Sequence, residues 1–152
     1  MSLRYLQLST LKMKTLVIDG NNLIHRTFHT AKQQSKRTQT DTPEQVRNFH
    51  ILFTLNAVNS YVKQFVPDKT ITVWDEKKEY KINERKKLFE AYKGNRSKDL
   101  SPHENNDVIK SILLSLGINS IFPSRLEADD IVAYICKEHE GKKVIVSVDR
   151  DF

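Results

Sequence analysis

Cysteine occurs once in this chain, at Cys136. No internal disulfide can form, and the residue falls in an apolar helical pattern where it packs as a small hydrophobe. This usage fits a reducing, intracellular compartment. Glycine is scarce as well, with only four: Gly20, Gly94, Gly117 and Gly141. They are too far apart to build a glycine-rich phosphate cradle or a dinucleotide fingerprint, so phosphate contacts must come from side chains. No apolar run is long enough to cross a bilayer, and Met1 to Lys12 lacks the apolar stretch of a signal peptide. Residues 1–12 read as an extension ahead of a domain that begins at Met13. Internal repeats and low-complexity segments are absent. His25 and His29 are four apart but lack the acid and third ligand of a zinc hydrolase motif, so they read as surface or packing residues.

What is present points to one domain and a polyanionic partner. A length of 152 residues supports a single domain with a real core. Lys and Arg number 25 against 19 Asp and Glu, a net charge of +6. The distribution is sharper than the total. Between Glu76 and Lys98 there are nine basic residues against four acids, whereas acids elsewhere gather at the ends of strand-like runs. An enzyme that holds a metal in one place and a phosphate backbone in another needs that separation.

Continuous apolar runs suit strands buried on both faces of a parallel sheet. Thr15–Asp19 is the first, punctuated by Gly20-Asn21-Asn22. Ala31 to Thr42 is polar and reads as a loop. Thr42-Pro43-Glu44 starts a helix, with Thr42 as cap and Pro43 at the first helical position. It runs to about Val66, burying Val46, Phe49, Leu52, Phe53 and Val62, and Pro67 ends it. Ile71–Asp75 is the second strand, with Trp74 in the core. A charged helical pattern continues to Tyr92 and breaks at Gly94-Asn95. Ser101-Pro102-His103-Glu104 opens a helix carrying Val108, Ile109, Ile112, Leu113 and Leu116 to a stop at Gly117. Ile118–Phe122, a Glu127–Glu138 helix and a Lys143–Val148 strand follow. Alternation of this kind predicts an α/β domain with a mainly parallel sheet, right-handed crossovers and a site at the carboxyl ends of the strands.

That rim is acidic. Asp19, Asp75 and Asp149 end three separate strands. Glu127, Asp129 and Asp130 open a helix, and Asp151 follows Asp149. So many carboxylates in one volume repel one another, and the usual remedy is a hard divalent cation with oxygen ligands. The pattern predicts a magnesium-type centre that cleaves phosphodiesters. Each acid also has an ordinary reading: Asp19 as a turn former, Asp75 as a helix cap, Glu127 to Asp130 as complements to a helix dipole. Needing all of them at one rim favours the metal. Asp149-Arg150-Asp151 also matches the strand-end motif of haloacid-dehalogenase-type phosphatases, but that motif opens its domain, whereas here it follows every other element. In the basic stretch, surface ion pairs compete with nucleic-acid contact. Tyr92-Lys93-Gly94-Asn95-Arg96 favours the latter, since a ring can stack on a base while cations meet phosphates.

These pieces together resemble the flap endonuclease and 5′–3′ exonuclease family of phages and bacteria. The residues that carry the resemblance are Leu16-Val-Ile-Asp-Gly-Asn-Asn-Leu23, Val73-Trp-Asp75, the run from Arg85 through Tyr92 to Arg96, Glu127-Ala-Asp-Asp130 and Ser147-Val-Asp-Arg-Asp-Phe152. They stand in family order. The resemblance implies a Rossmann-like sheet of the PIN and 5′-nuclease type, helices on both faces and a basic helical arch. It implies two Mg²⁺ or Mn²⁺ ions, with Asp19, Asp75, Glu127 and Asp129 nearest the scissile phosphate. Asp130, Asp149 and Asp151 would add further contacts. Arg26 and Lys93 would hold and polarise the phosphate, Arg85 and Arg96 would meet the backbone, and Tyr92 would stack on a terminal base. The implied substrate is DNA with 5′ ends or flaps, or an RNA–DNA hybrid, in the cytoplasm (of the host, if phage-encoded), with no membrane. A non-cleaving branched-DNA-binding fragment and a PIN-like ribonuclease are the alternatives. Family members continue past the Asp-x-Asp-Phe motif into a helix-hairpin-helix module. Residues 13–152 are therefore expected to be an N-terminal nuclease domain, completed by a C-terminal chain or by a homodimer.

Overall fold

The computed structural model describes residues 13–75, 101–123 and 126–148. Four strands form one parallel sheet: β1 Lys14–Asp19, β2 Lys69–Val73, β3 Asn119–Ile121 and β4 Lys142–Val146, in the order β3-β2-β1-β4. The helices described are α1 Gly20–Arg37, α2 Pro43–Phe65, α3 Asn106–Ser115 and α4 Ala128–Glu138, with a 3₁₀ turn at Ser101–His103. β1 lies inside the sheet, and its Leu16, Val17 and Ile18 are fully buried. Leu16 and Ile18 face one layer, where they meet Leu23, Ile24, Val58, Ile109 and Leu113 from α1, α2 and α3. Val17 faces the other, with Ile71 and Val73 of β2 against Val132 and Ile135 of α4. Alternation along the strand thus feeds two cores. Cys136 packs against the second, as its helical position implies.

Topology locates the site. The chain steps from β1 to β2 to β3 in one direction, with α1, α2 and α3 on one face. It then returns to the far side of β1 through α4 on the opposite face. Reversal of strand order opens a crevice at the carboxyl ends of β1 and β4, where such sheets bind ligands. No described helix is long and apolar enough to cross a membrane.

Three local expectations change. Ala31 to Arg37 is the last two turns of α1, not a loop. Its small residues Ala31 and Ser35 continue the buried face of Leu23, Ile24, Thr27 and Phe28, so the helix persists without large apolar side chains there. Helix α2 begins as read, with Thr42 Oγ1 accepting from Gln45 N and Pro43 in the first turn, and ends at Val66 before Pro67. Its buried face is His50, Thr54 and Val58, however, while Leu52 is 49% exposed and Phe49 and Phe53 are half-buried. Apolar residues surround α2 on all sides, so periodicity does not choose a face. Hydrogen bonds to α1 choose it. The helix expected from Ser101 is likewise a 3₁₀ turn followed by α3, which buries Ile109 and Leu113 and leaves Val108 and Leu116 exposed. Gly117 stops it with φ of 80°.

Candidate active site

The first rim acid is Asp19, the last residue of β1 and the N-cap of α1. Its Oδ1 accepts from Asn22 N at 3.0 Å, and its Oδ2 accepts from the Ser147 hydroxyl at 3.0 Å. The register explains the second bond: Ile18 pairs with Val146, so Asp19 stands opposite Ser147 at the β1–β4 crevice. Gly20 must be small here. A Cβ on it would lie 2.5 Å from Trp74 Cδ2. Trp74 is buried as expected, and its indole Nε1 donates to Thr72 Oγ1 at 2.9 Å and Ser120 Oγ at 3.2 Å.

The neighbouring strand supplies Asp75. Asp19 is level with Val73, so Asp75 lies two residues further along the same rim. The helix that follows it in sequence, which it was read as capping, lies outside the described residues. Its Oδ1 accepts from Ala128 N at 2.9 Å, at the start of α4. There Glu127 and Asp130 form a reciprocal capping box, in which Glu127 N donates to Asp130 Oδ2 at 3.0 Å. Asp129 is half-buried in the same first turn, and Asp19 and Glu127 are each only 7% exposed. Capping is thus observed at Asp19, Asp75 and the Glu127–Asp130 pair, and Asp19 and Asp75 stand on the same rim. Helix N-termini carry partial positive charge, which makes two of them a suitable setting for carboxylates.

Asp19, Asp75, Glu127, Asp129 and Asp130 are thus the sequence-selected acids within the described residues. Among those residues, no three Asp, Glu, His or Cys side chains stand at a spacing that would hold a metal ion. Asp149 and Asp151 lie outside the described residues, as do Arg85, Tyr92, Lys93, Arg96 and the whole stretch expected to form a basic arch. Arg26 is exposed on α1, about two turns beyond the N-cap. Its guanidinium donates to the Tyr61 hydroxyl of α2 and lies 5.9 Å from the centre of that ring.

Sequence reading missed a second polar cluster. His50 is fully buried between α1 and α2. Its Nε2 is 3.1 Å from Ile24 O, a carbonyl that can only accept, so Nε2 carries the proton. Nδ1 then accepts from Asn105 Nδ2 at 3.0 Å. Burial is the main cause that pushes the ring's pKa down to about 4, with His25 and His103 adding repulsion. Next to it, His25 is no plain surface residue: its Nε2 is 3.1 Å from His103 Nε2. His29 is exposed, as expected. No spacing rule joins His25 to His103, which are 78 residues apart.

Residues 14–152 match the family described as 5′-3′ exonuclease, N-terminal resolvase-like domain. The chain belongs to that family. Among its relatives, the 5′-3′ exonuclease of Aquifex aeolicus is 31% identical over 144 residues, covering 91% of this chain and 47% of that protein. Flap endonuclease Xni of Tolumonas auensis is 29% identical over 141 residues, covering 90% and 52%. DNA polymerase I of Mycobacterium leprae is 28% identical over 144 residues, covering 92% and 15%. The chain thus spans about half or less of the length of these relatives. The fold is shared with bacteriophage T5 5′-exonuclease carrying bound zinc: TM-score 0.59, 19% identity, 91% of this chain and 50% of that one. Family membership and the parallel sheet bear out the resemblance read from the motifs.

Proposed function

We propose that this chain is the nuclease half of a divalent-metal-dependent 5′-nuclease, which hydrolyses phosphodiesters at the 5′ ends or flaps of DNA. The observation that carries the reading is the placement of Asp19 and Asp75 at the carboxyl ends of adjacent strands, with Glu127, Asp129 and Asp130 at the helix start that Asp75 touches. Family membership supports it. So do relatives named 5′-3′ exonuclease and flap endonuclease, and a T5 flap endonuclease structure containing DNA and metal ions.

The donor set suits a hard cation. Every candidate ligand is a carboxylate, and Asp19 and Glu127 are buried where an uncompensated charge is costly. Asp19, Asp75, Glu127 and Asp129 would hold the ion nearest the scissile phosphate, with Asp130, Asp149 and Asp151 completing the shell and a second site. When bound, Mg²⁺ or Mn²⁺ supplies an activated water and stabilises the leaving oxygen. The remaining work belongs to side chains. Arg26 and Lys93 neutralise charge that develops on the phosphate. Arg85 and Arg96 meet the backbone, and Tyr92 stacks on the terminal base. An RNA–DNA hybrid would fit the same contacts, and the setting is the cytoplasm. The relatives are about twice as long or longer.

Cleavage of a 5′-flap DNA with Mg²⁺ or Mn²⁺, with and without a relative's C-terminal half, tests this. The expected outcome is metal-dependent product bearing a 5′-phosphate. Absence of product in both mixtures, with folded protein, would sink it. Salt-steep DNA binding without product would indicate a binding fragment. Preference for single-stranded RNA would indicate a ribonuclease.

A further inference from the structure

We propose that Tyr61 is a positioning residue for Arg26: its phenol holds the guanidinium back toward the end of α1 that Asp19 caps, ready for a phosphate of the bound DNA. The proposal rests on the nuclease reading for its consequence, though not for its geometry. Arg26 Nη2 donates to the Tyr61 hydroxyl, and the guanidinium carbon lies 5.9 Å from the centre of the same ring. One side chain thus offers Arg26 both an acceptor and a π-face. The two residues are 35 apart in the chain, and no motif joins them.

Helix register sets the direction of the contact. Only residues 38–42 join α1 to α2, so the two helices form a hairpin and run in opposite directions. Phe28 meets the His50 ring edge-on, and Thr27 Oγ1 is 2.8 Å from Thr54 Oγ1. Arg26 precedes Thr27 by one residue, whereas Tyr61 follows Thr54 by seven. Seven residues carry about 10 Å along α2. Because the helices are antiparallel, that step leads toward the start of α1. Helical side chains lean toward their own N-termini. Arg26 therefore reaches back along α1 toward Asp19, and the phenol leans the other way to meet it.

Tyr61 is a firm support. Its half-buried ring packs against the core that contains Leu16, Ile18, Leu23 and Val58. Thr54, two turns earlier on α2, is fully buried and bonded to α1. Arg26, by contrast, is exposed, and an unsupported arginine samples many rotamers. The tie removes part of that freedom in advance, so less is lost when an anion binds. The chemistry of the support matters as well. A carboxylate in this place would position the guanidinium but offset its charge. A hydroxyl carries no charge and leaves the cation whole. The bond uses one of five guanidinium N–H groups, and the hydroxyl, as acceptor, keeps its own proton to donate. Donors from both side chains can therefore turn to one phosphate.

Two measurements test this. Tyr61→Phe keeps the packed ring and removes the acceptor. In the mixture that cuts 5′-flap DNA, it should lower kcat about five- to ten-fold, the size of one hydrogen bond to a charged group, and leave KM within about two-fold. A loss confined to KM, or no loss, would overturn the proposal. In an Arg26→Ala background the same change should alter kcat by less than about two-fold, because the group it positions is gone. An equal loss in both backgrounds would show that Tyr61 acts by another route, and would also overturn it. The second measurement needs no DNA. The ¹⁵N–¹H signals of the Arg26 guanidinium should report slow rotation in wild type and faster rotation in Tyr61→Phe. Equal rates would refute the tie. Failure of the wild type to bind or cut DNA at all would remove the nuclease reading instead, and the guanidinium signals would still decide the tie.

Discussion

Helix α1 serves two polar clusters, and they solve burial in opposite ways. At its start, Asp19 sits among other carboxylates at the strand rim, where helix N-termini and a serine hydroxyl offer donors to negative charge. One to four turns along, the junction with α2 and the Ser101–His103 turn holds imidazoles instead, and His50 is kept neutral between a carbonyl and an amide. The rim tolerates charge because backbone dipoles point at it. The junction keeps His50 neutral because burial penalises its charged form. A carboxylate rim can therefore lie at one end of a helix whose side packs against an imidazole kept neutral by burial.

The strongest break in this comparison is Asp19→Asn. Asn caps a helix about as well as Asp, so thermal stability should change little. Under the nuclease reading, the loss of charge should cut cleavage by at least about a hundred-fold. Equal losses in stability and activity would reduce Asp19 to a cap. Acid should strain the other cluster. The His50 pKa is pushed down to about 4 from 6.5. Its contribution to stability is thus complete above about pH 6.5 and is lost as pH falls towards 4. The loss amounts to at most about 3 kcal/mol. Urea unfolding at pH 7 and pH 4.5 would measure it, and His50→Gln should have a shallower slope.

Gly20→Ala comes next, since its methyl would meet the Trp74 ring. Overpacking of this kind costs about 1–3 kcal/mol, readable as a lowered urea midpoint. Smallest is Ser147→Ala, which removes one hydrogen bond to Asp19. It should cost about 1 kcal/mol in unfolding experiments. A much larger fall in cleavage than in stability would show that the hydroxyl orients the carboxylate for catalysis.

Much of the fold was legible because β1 and β2 are apolar runs that end in, or lead directly to, an aspartate, a pattern that local chemistry dictates. The α1 N-cap, the Thr42-Pro43 start of α2 and the Gly117 stop were legible for the same reason: caps are made by neighbours in sequence. Ala31 to Arg37 was misread because Ala31 and Ser35 are too small to announce a buried face. The face of α2 was misread because many of its residues are apolar, and Ile24 and Asn105 selected the one that carries His50.

By itself, then, the sequence determined that strands and helices alternate and that Asp19 and Asp75 stand where β1 and β2 end. These are properties of short stretches of chain. Only the tertiary structure decided which carboxylate meets which helix. Asp75 receives its N–H from Ala128, 53 residues away, and His25 finds His103 across 78 residues. Such partners are chosen by strand order and by the layer into which each helix packs. Packing brings distant residues together, and no local pattern encodes that distance.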